Sequence, residues 1–192
     1  YSNDLVYGND GEDTVLGGRG LDVLGGGNGN DVLFGGIITG VPLEADQMED
    51  LSNGGSLADI LAEDGFGINM RDDLRDDEIY GGVGDDTMFV GGLDNAYGGL
   101  GADTFNVMAD HTSTMNIANI QDYNAADDNV GVVVNDGDED MEITVNDDGS
   151  DALILGDSVV LARVMGAAGT LSAASISVMS ESSVASMFDP NA

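Results

Sequence analysis

Four aspartates near the start of the chain, Asp4, Asp13, Asp22 and Asp31, fall nine residues apart without a slip. Each is followed two residues later by an apolar residue: Val6, Val15, Leu24 and Leu33. If the chain coils so that these carboxylates stack, they repel one another strongly unless a cation sits between them. Calcium suits such a place, because it takes about six to eight oxygens in loose geometry and accepts backbone carbonyls beside carboxylates.

The elements that must position those aspartates are legible in residues 17–36. One unit runs Gly17, Gly18, Arg19, Gly20, Leu21, Asp22 and then Val23, Leu24, Gly25; the next runs from Gly26 to Phe34 in the same pattern. Each unit spends six residues on a glycine-rich turn ending in aspartate and three on a short strand. Glycine occupies such turns because it adopts positive φ at no steric cost, and Asn9 stands in for it in the slightly degenerate unit before. Strict turn and strand alternation predicts a β-helix or β-roll, with Val15, Leu24 and Leu33 pointing inward as a thin apolar ladder. A flexible linker has no reason to keep period nine with an apolar residue in fixed register. The ladder buries little area against the entropy of ordering so much glycine, so a further stabilising agent is expected.

These units, Gly-Gly-x-Gly-x-Asp-x-U-x with U a large apolar residue, resemble the RTX (repeats-in-toxin) family of haemolysin-type calcium-binding repeats. The resemblance implies that two units make one coil, so that ions lie between turns eighteen residues apart, pairing Asp4 with Asp22 and Asp13 with Asp31. It also implies a C-terminal region of a type I secreted protein, extracellular or at the surface of a Gram-negative bacterium, with the tail as the segment read by the type I secretion machinery.

The expected organisation is all-β: a parallel β-roll with a short helical insertion and a C-terminal antiparallel β cap. Residues 1–36 form the first repeat block. Residues 37–75 have no nine-residue period and are an insertion, with a helix expected over 56–65 and another element over 43–51. The insertion is expected to loop out of a single turn, so that the roll is continuous through it. Residues 76–106 resume the repeats, including complete units at 81–89 and 98–106 and a shortened one at 91–97. The two aspartate rows should then be Asp4, Asp22, Asp77 with Asn95, and Asp13, Asp31, Asp86, Asp103. Residues 107–170 read as a β-rich capping region: Ile120, Gln121, Asp122 and Tyr123, an acidic gap, and three strands near 141–145, 152–155 and 158–164. An open roll end needs such a cap, because it exposes strand edges and the apolar ladder. Residues 171–192 are a Ser/Ala-rich tail.

The candidate calcium-ligating set is therefore Asp4, Asn9, Gly11, Asp13, Gly18, Gly20, Asp22, Gly27, Gly29 and Asp31 in the first block. In the second block it is Asp77, Gly82, Gly84, Asp86, Asn95, Gly99, Gly101 and Asp103. Several ions are expected.

Charge limits the partners. The formal net charge is −33, with 37 acidic residues against four arginines. That balance opposes nucleic acid and anionic membrane surfaces, and it destabilises any compact state without divalent cations. No run of apolar residues is long enough for a membrane span. There is no cysteine, so no disulfide substitutes for ions. Catalysis has little to stand on: His111 is the single histidine, and neither a Gly-x-Ser-x-Gly elbow nor a His-Glu-x-x-His helix occurs. Residues 136–140 lack the turn glycine and the closing glutamate of an EF-hand loop and read as a solvated acidic loop. Because Asp4 and Val6 are already in register, the sequence opens inside a unit, and upstream domains of a longer chain are expected. The expected role is a calcium-binding module of a structural or adhesive extracellular protein, with self-assembly or a cell-surface partner. The alternative is the export-and-folding tail of a secreted hydrolase or toxin.

Overall fold

The computed structural model describes residues 2–39, 69–109 and 116–185. In the first block, six-residue strands alternate with three-residue ones: β1 (Leu5–Asp10), β2 (Thr14–Leu16), β3 (Val23–Asn28) and β4 (Val32–Phe34). After the stem strands β5 (Ile37–Thr39) and β6 (Asn69–Arg71), the alternation resumes. It continues through β7 (Glu78–Val83), β8 (Thr87–Val90), β9 (Asn95–Leu100) and β10 (Thr104–Met108). Beyond the repeats come β11 (Ala118–Ile120), β12 (Asn129–Val134), β13 (Ile143–Asp148), β14 (Asp151–Gly156), β15 (Val159–Val164) and β16 (Ser177–Ser180). A short helix, α1 (Glu181–Ala185), follows.

All strands but β5 and β6, which form a separate pair, sort into two sheets. The first has the order β1-β3-β7-β9-β11-β15-β14-β13 and the second β16-β12-β10-β8-β4-β2. Successive coils pair in parallel: Leu24 opposes Val6 and Ile79, and Leu33 opposes Val15 and Met88. The inward ladder is therefore continuous, as Leu24, Ile79, Ala96 and Ile120 on one sheet face Leu33, Met88, Phe105 and Val130 on the other in one buried cluster. β3 pairs directly with β7 and β4 with β8, so the roll runs through the insertion point with strand register intact. The insertion leaves the roll through the antiparallel pair β5–β6. The expected helix at 56–65 and element at 43–51 lie outside the described residues, as does His111.

Two features extend past the repeats. β11 and β12 lie parallel to β9 and β10, so the coil continues into sequence with no glycine turn motif. The antiparallel β13–β14–β15 meander then finishes the first sheet, with Arg163 tied to Asp148 at 2.9 Å and Asp151 at 3.1 Å. The tail is anchored up to α1: β16 pairs in parallel with β12, and Val184 of α1 is fully buried. Val184 belongs to a second apolar layer on the outer face of the second sheet, with Phe34, Met70, Phe89, Met108 and Val133. That sheet is thus buried on both faces, and the apolar core is larger than the inward ladder alone.

Candidate metal centre

Each aspartate of the repeats closes a turn, and from the second coil onward each offers one carboxylate oxygen to the coil before it. On one edge of the roll, the Asp4 N–H donates to Asp22 Oδ1 (2.8 Å), the Asp22 N–H to Asp77 Oδ1 (2.7 Å) and the Asp77 N–H to Asp94 Oδ1 (3.1 Å). On the other edge, the N–H groups of Asp13, Asp31, Asp86 and Asp103 donate in turn to Oδ1 of Asp31 (2.8 Å), Asp86 (2.9 Å), Asp103 (3.0 Å) and Asp128 (3.0 Å). The backbone thereby holds each accepting carboxylate by its Oδ1. The second oxygen is left over.

That second oxygen has nowhere to go. Oδ2 of Asp13, Asp22, Asp31, Asp77 and Asp86 is buried with no hydrogen-bond partner. A buried carboxylate oxygen left without a donor costs several times what a typical hydrogen bond contributes, so five in two rows require a common explanation. Each faces the first glycine of its own turn. A Cβ at Gly8 would meet Asp13 Oδ2 and the Gly26 carbonyl, each at 2.7 Å. A Cβ at Gly17 would meet Asp22 Oδ2 at 2.9 Å and the Gly35 carbonyl at 2.8 Å. Gly26 stands in the same way against Asp31 Oδ2 and the Gly81 carbonyl, and Gly81 against Asp86 Oδ2 and the Gly98 carbonyl. At each of these glycines a carboxylate oxygen and a carbonyl oxygen come together between consecutive coils, with no room for a side chain.

Burial acts on the charge as well. Desolvation is the largest influence on Asp77, raised to about 7, and on Asp86, raised to about 6, outweighing the N–H bonds that each accepts. It pushes Asp31, Asp94 and Asp103 upward too. A cation is the agent that would reverse this, since it favours the ionised form. Among the described residues no three acidic or histidine side chains converge on one point. The first glycines instead bring carboxylate and carbonyl oxygens together, a donor set that fits calcium.

The structure places the expected site residues as follows. Asn9 and the expected turn glycines, Gly11, Gly18, Gly20, Gly27, Gly29, Gly82, Gly84, Gly99 and Gly101, all have positive φ, from 79° at Asn9 to 155° at Gly20. At Gly27 even the space is closed, because a Cβ would fall on the Asn9 carbonyl of the previous coil. One assignment is corrected. Asn95 does not stand in the aspartate row; it pairs with Glu78, and Asp94 takes the row position by accepting the Asp77 N–H. The shortened turn at 91–94 moves the register by one residue.

Asp94 also differs in kind. Its Oδ2 accepts the Gly91 N–H at 2.8 Å, so both oxygens are satisfied by the backbone. Sequence reasoning also missed Asp128, which ends the other row, and the first glycines Gly8, Gly17, Gly26 and Gly81. Three further aspartates replace backbone carbonyls where a neighbouring coil is missing. Asp73 Oδ2 accepts the Gly20 N–H (3.0 Å) and Asp72 Oδ2 the Gly92 N–H (2.6 Å), both at the exit of the insertion. Asp122 accepts the N–H groups of Gly98 (2.8 Å) and Gly99 (3.1 Å). Asp122 lies in the segment expected to cap the roll, and these two bonds tie that segment to the turn at Gly98 and Gly99.

The RTX calcium-binding nonapeptide repeat model matches in four copies over residues 2–24, 7–37 and 70–95. No curated protein matches the chain. Among solved structures, the chain is similar to the AlgE6R3 subunit of the Azotobacter vinelandii mannuronan C5-epimerase, with 19% identity, 86% of this chain and 79% of that chain covered, and a TM-score of 0.42. It is also similar to the extracellular lipase LipA of Serratia marcescens, with 14% identity, 91% of this chain and 38% of that chain covered, and a TM-score of 0.35. No helix among the described residues is long and apolar enough to cross a membrane.

Proposed function

We propose that this chain, whose repeats match the RTX calcium-binding nonapeptide repeat model, is a module of a secreted protein that folds outside the cell when calcium fills sites between its coils. The observation that carries this reading is the set of five buried carboxylate oxygens without a hydrogen-bond partner. The ligands would be Oδ2 of Asp13, Asp22, Asp31, Asp77 and Asp86 with the carbonyls of the facing glycines Gly26, Gly35, Gly81 and Gly98. Calcium, when bound, supplies positive charge that offsets the repulsion of stacked carboxylates. Asp4 and Asp103 would add to the two sets of ligands.

The edges are not equivalent in this reading. The edge of Asp13, Asp31, Asp86 and Asp103 has three uninterrupted gaps between full turns. The other edge is broken by the insertion between Gly35 and Asp77 and closed by Asp94, which the backbone already satisfies. The regular edge is therefore the tighter calcium ladder.

A roll whose ligands do not converge until it folds converts ion binding into folding free energy. With affinities typical of extracellular modules, about 10⁻⁴ to 10⁻³ M, the sites stay empty in a low-calcium cytosol and fill outside. The role best suited to such a module is a structural or adhesive one, with the whole chain serving as scaffold. A calcium titration followed by far-UV circular dichroism tests the proposal. Disorder in chelator and a cooperative gain of β signal with calcium is the expected result; a chain that is fully folded in chelator would overturn it.

A further inference from the structure

The outer face of the first sheet carries a row of residues in strict register across four parallel strands: Tyr7, Gly25, Tyr80 and Tyr97. The rings of Tyr80 and Tyr97 are stacked, with centroids 4.8 Å apart and planes 12° from parallel. Tyr80 is 41% exposed, so an oxidant reaches the pair from solvent. Its hydroxyl donates to Glu78 Oε2 at 2.9 Å, which gives a phenolic proton an acceptor when an electron leaves the ring. The chain has no tryptophan and no cysteine, so tyrosine is the side chain most readily oxidised by one electron.

We propose that Tyr80 and Tyr97 are a site of oxidative cross-linking, joined as dityrosine by an oxidant of the haem-peroxidase class with hydrogen peroxide as final acceptor. Each phenol gives up one electron and its hydroxyl proton. The two radicals couple ortho carbon to ortho carbon, and the two ring hydrogens displaced at the new bond return to the phenol oxygens through solvent. The net change is loss of two hydrogens from the protein and reduction of one peroxide to two waters. In-register stacking brings equivalent ring positions of the two side chains together, whereas Tyr7 is set against Gly25 and has no such stacked partner. The bond ties β7 to β9 across a coil junction otherwise held by hydrogen bonds and, in the reading above, by calcium. The inference rests on the pairing of β7 with β9 and does not require calcium to be the agent that folds them.

The test treats the calcium-loaded chain with a peroxidase and hydrogen peroxide. Dityrosine emission, the mass of the monomer and peptide mapping are then read. The expected product is a monomer lighter by two hydrogens, with residues 80 and 97 in one cross-linked peptide. Tyr97→Phe should lose that product, while a Tyr7→Phe/Tyr123→Phe double variant should keep it; far-UV circular dichroism checks that each variant folds. Tyrosine oxidation that leaves the 80–97 peptide absent in the folded double variant, or dityrosine found solely between molecules, would overturn the proposal.

Discussion

At the scale of single residues, two aspartates on opposite edges of the roll have opposite fates. Asp86 accepts one N–H on Oδ1 and leaves Oδ2 buried without a partner, whereas Asp94 has an N–H on each oxygen. Asp86→Asn keeps the acceptor for the Asp31 N–H and removes a calcium ligand. It should weaken calcium affinity by on the order of tenfold, read in an isothermal or dichroism titration. Asp94→Asn sets an amide donor against one of two N–H donors and should cost about 1–3 kcal/mol in denaturant melts at saturating calcium, with little change in calcium midpoint relative to that loss. The sign of the pH response follows from the same carboxylates. Asp77 is raised to about 7 and Asp86 to about 6 in the fold, against an ordinary value of 3.8. A raised carboxyl favours the folded state while protonated, so its stabilising effect is full below the ordinary value and disappears as pH rises through about 6 to 7. In chelator, acidification from neutral pH toward 5 should therefore increase the β signal. With calcium limiting, the same acidification should raise the calcium midpoint, because ligation needs the ionised form; two profiles running in the same direction would contradict the assignment.

At the scale of elements, the turn is the unit that matters, and its first glycine is the point that meets the second oxygen of its own aspartate. Gly26→Ala would drive a methyl group into Asp31 Oδ2 and the Gly81 carbonyl, closing the gap as well as straining it. Overpacking of this sort costs about 1–3 kcal/mol, and the calcium response of the edge should fall with it. Gly149→Ala is the control: its φ of 70° carries a penalty, but nothing lies within 4 Å of the added carbon. It should cost about 1 kcal/mol and leave the calcium midpoint alone. Thermal melts at fixed calcium separate the two. Much of this element was legible in the sequence because period nine fixes both the inward apolar residue and the aspartate. Where the period loosens, legibility ends. The shortened turn at 91–94 puts two polar residues side by side, and the choice between Asp94 and Asn95 depends on backbone hydrogen bonds that a spacing does not encode. Asp128 closes a turn without glycines, so no motif marks it. Phe34 and Phe89 stand at variable positions of the repeat, and their 6.2 Å edge-to-face contact belongs to an outer layer assembled from the insertion stem, β12 and α1, far apart in sequence.

At the scale of the whole molecule, the question is which electrostatic problem calcium solves. A net charge of −33 on 192 residues repels itself everywhere, and that general term is screened by any salt. The buried oxygens are a different problem: they lie in gaps between coils, out of reach of a diffuse ion atmosphere, and need a ligated cation. The two are separable in chelator. Monovalent salt at about 1 M shortens the screening length to roughly 3 Å and should remove most surface repulsion, yet leave the five orphaned oxygens as they were. Magnesium brings the right charge, but it holds its waters and demands a regular octahedron, which gaps lined by carbonyls and single carboxylates do not offer. Far-UV circular dichroism should therefore report little gain of β structure with sodium chloride or magnesium and a cooperative gain with calcium, since each coil is held by its neighbours and sites fill together. If sodium chloride alone restored the β signal, self-repulsion would be the whole obstacle, and the aspartate rows would be passengers on a fold that its two apolar layers already hold.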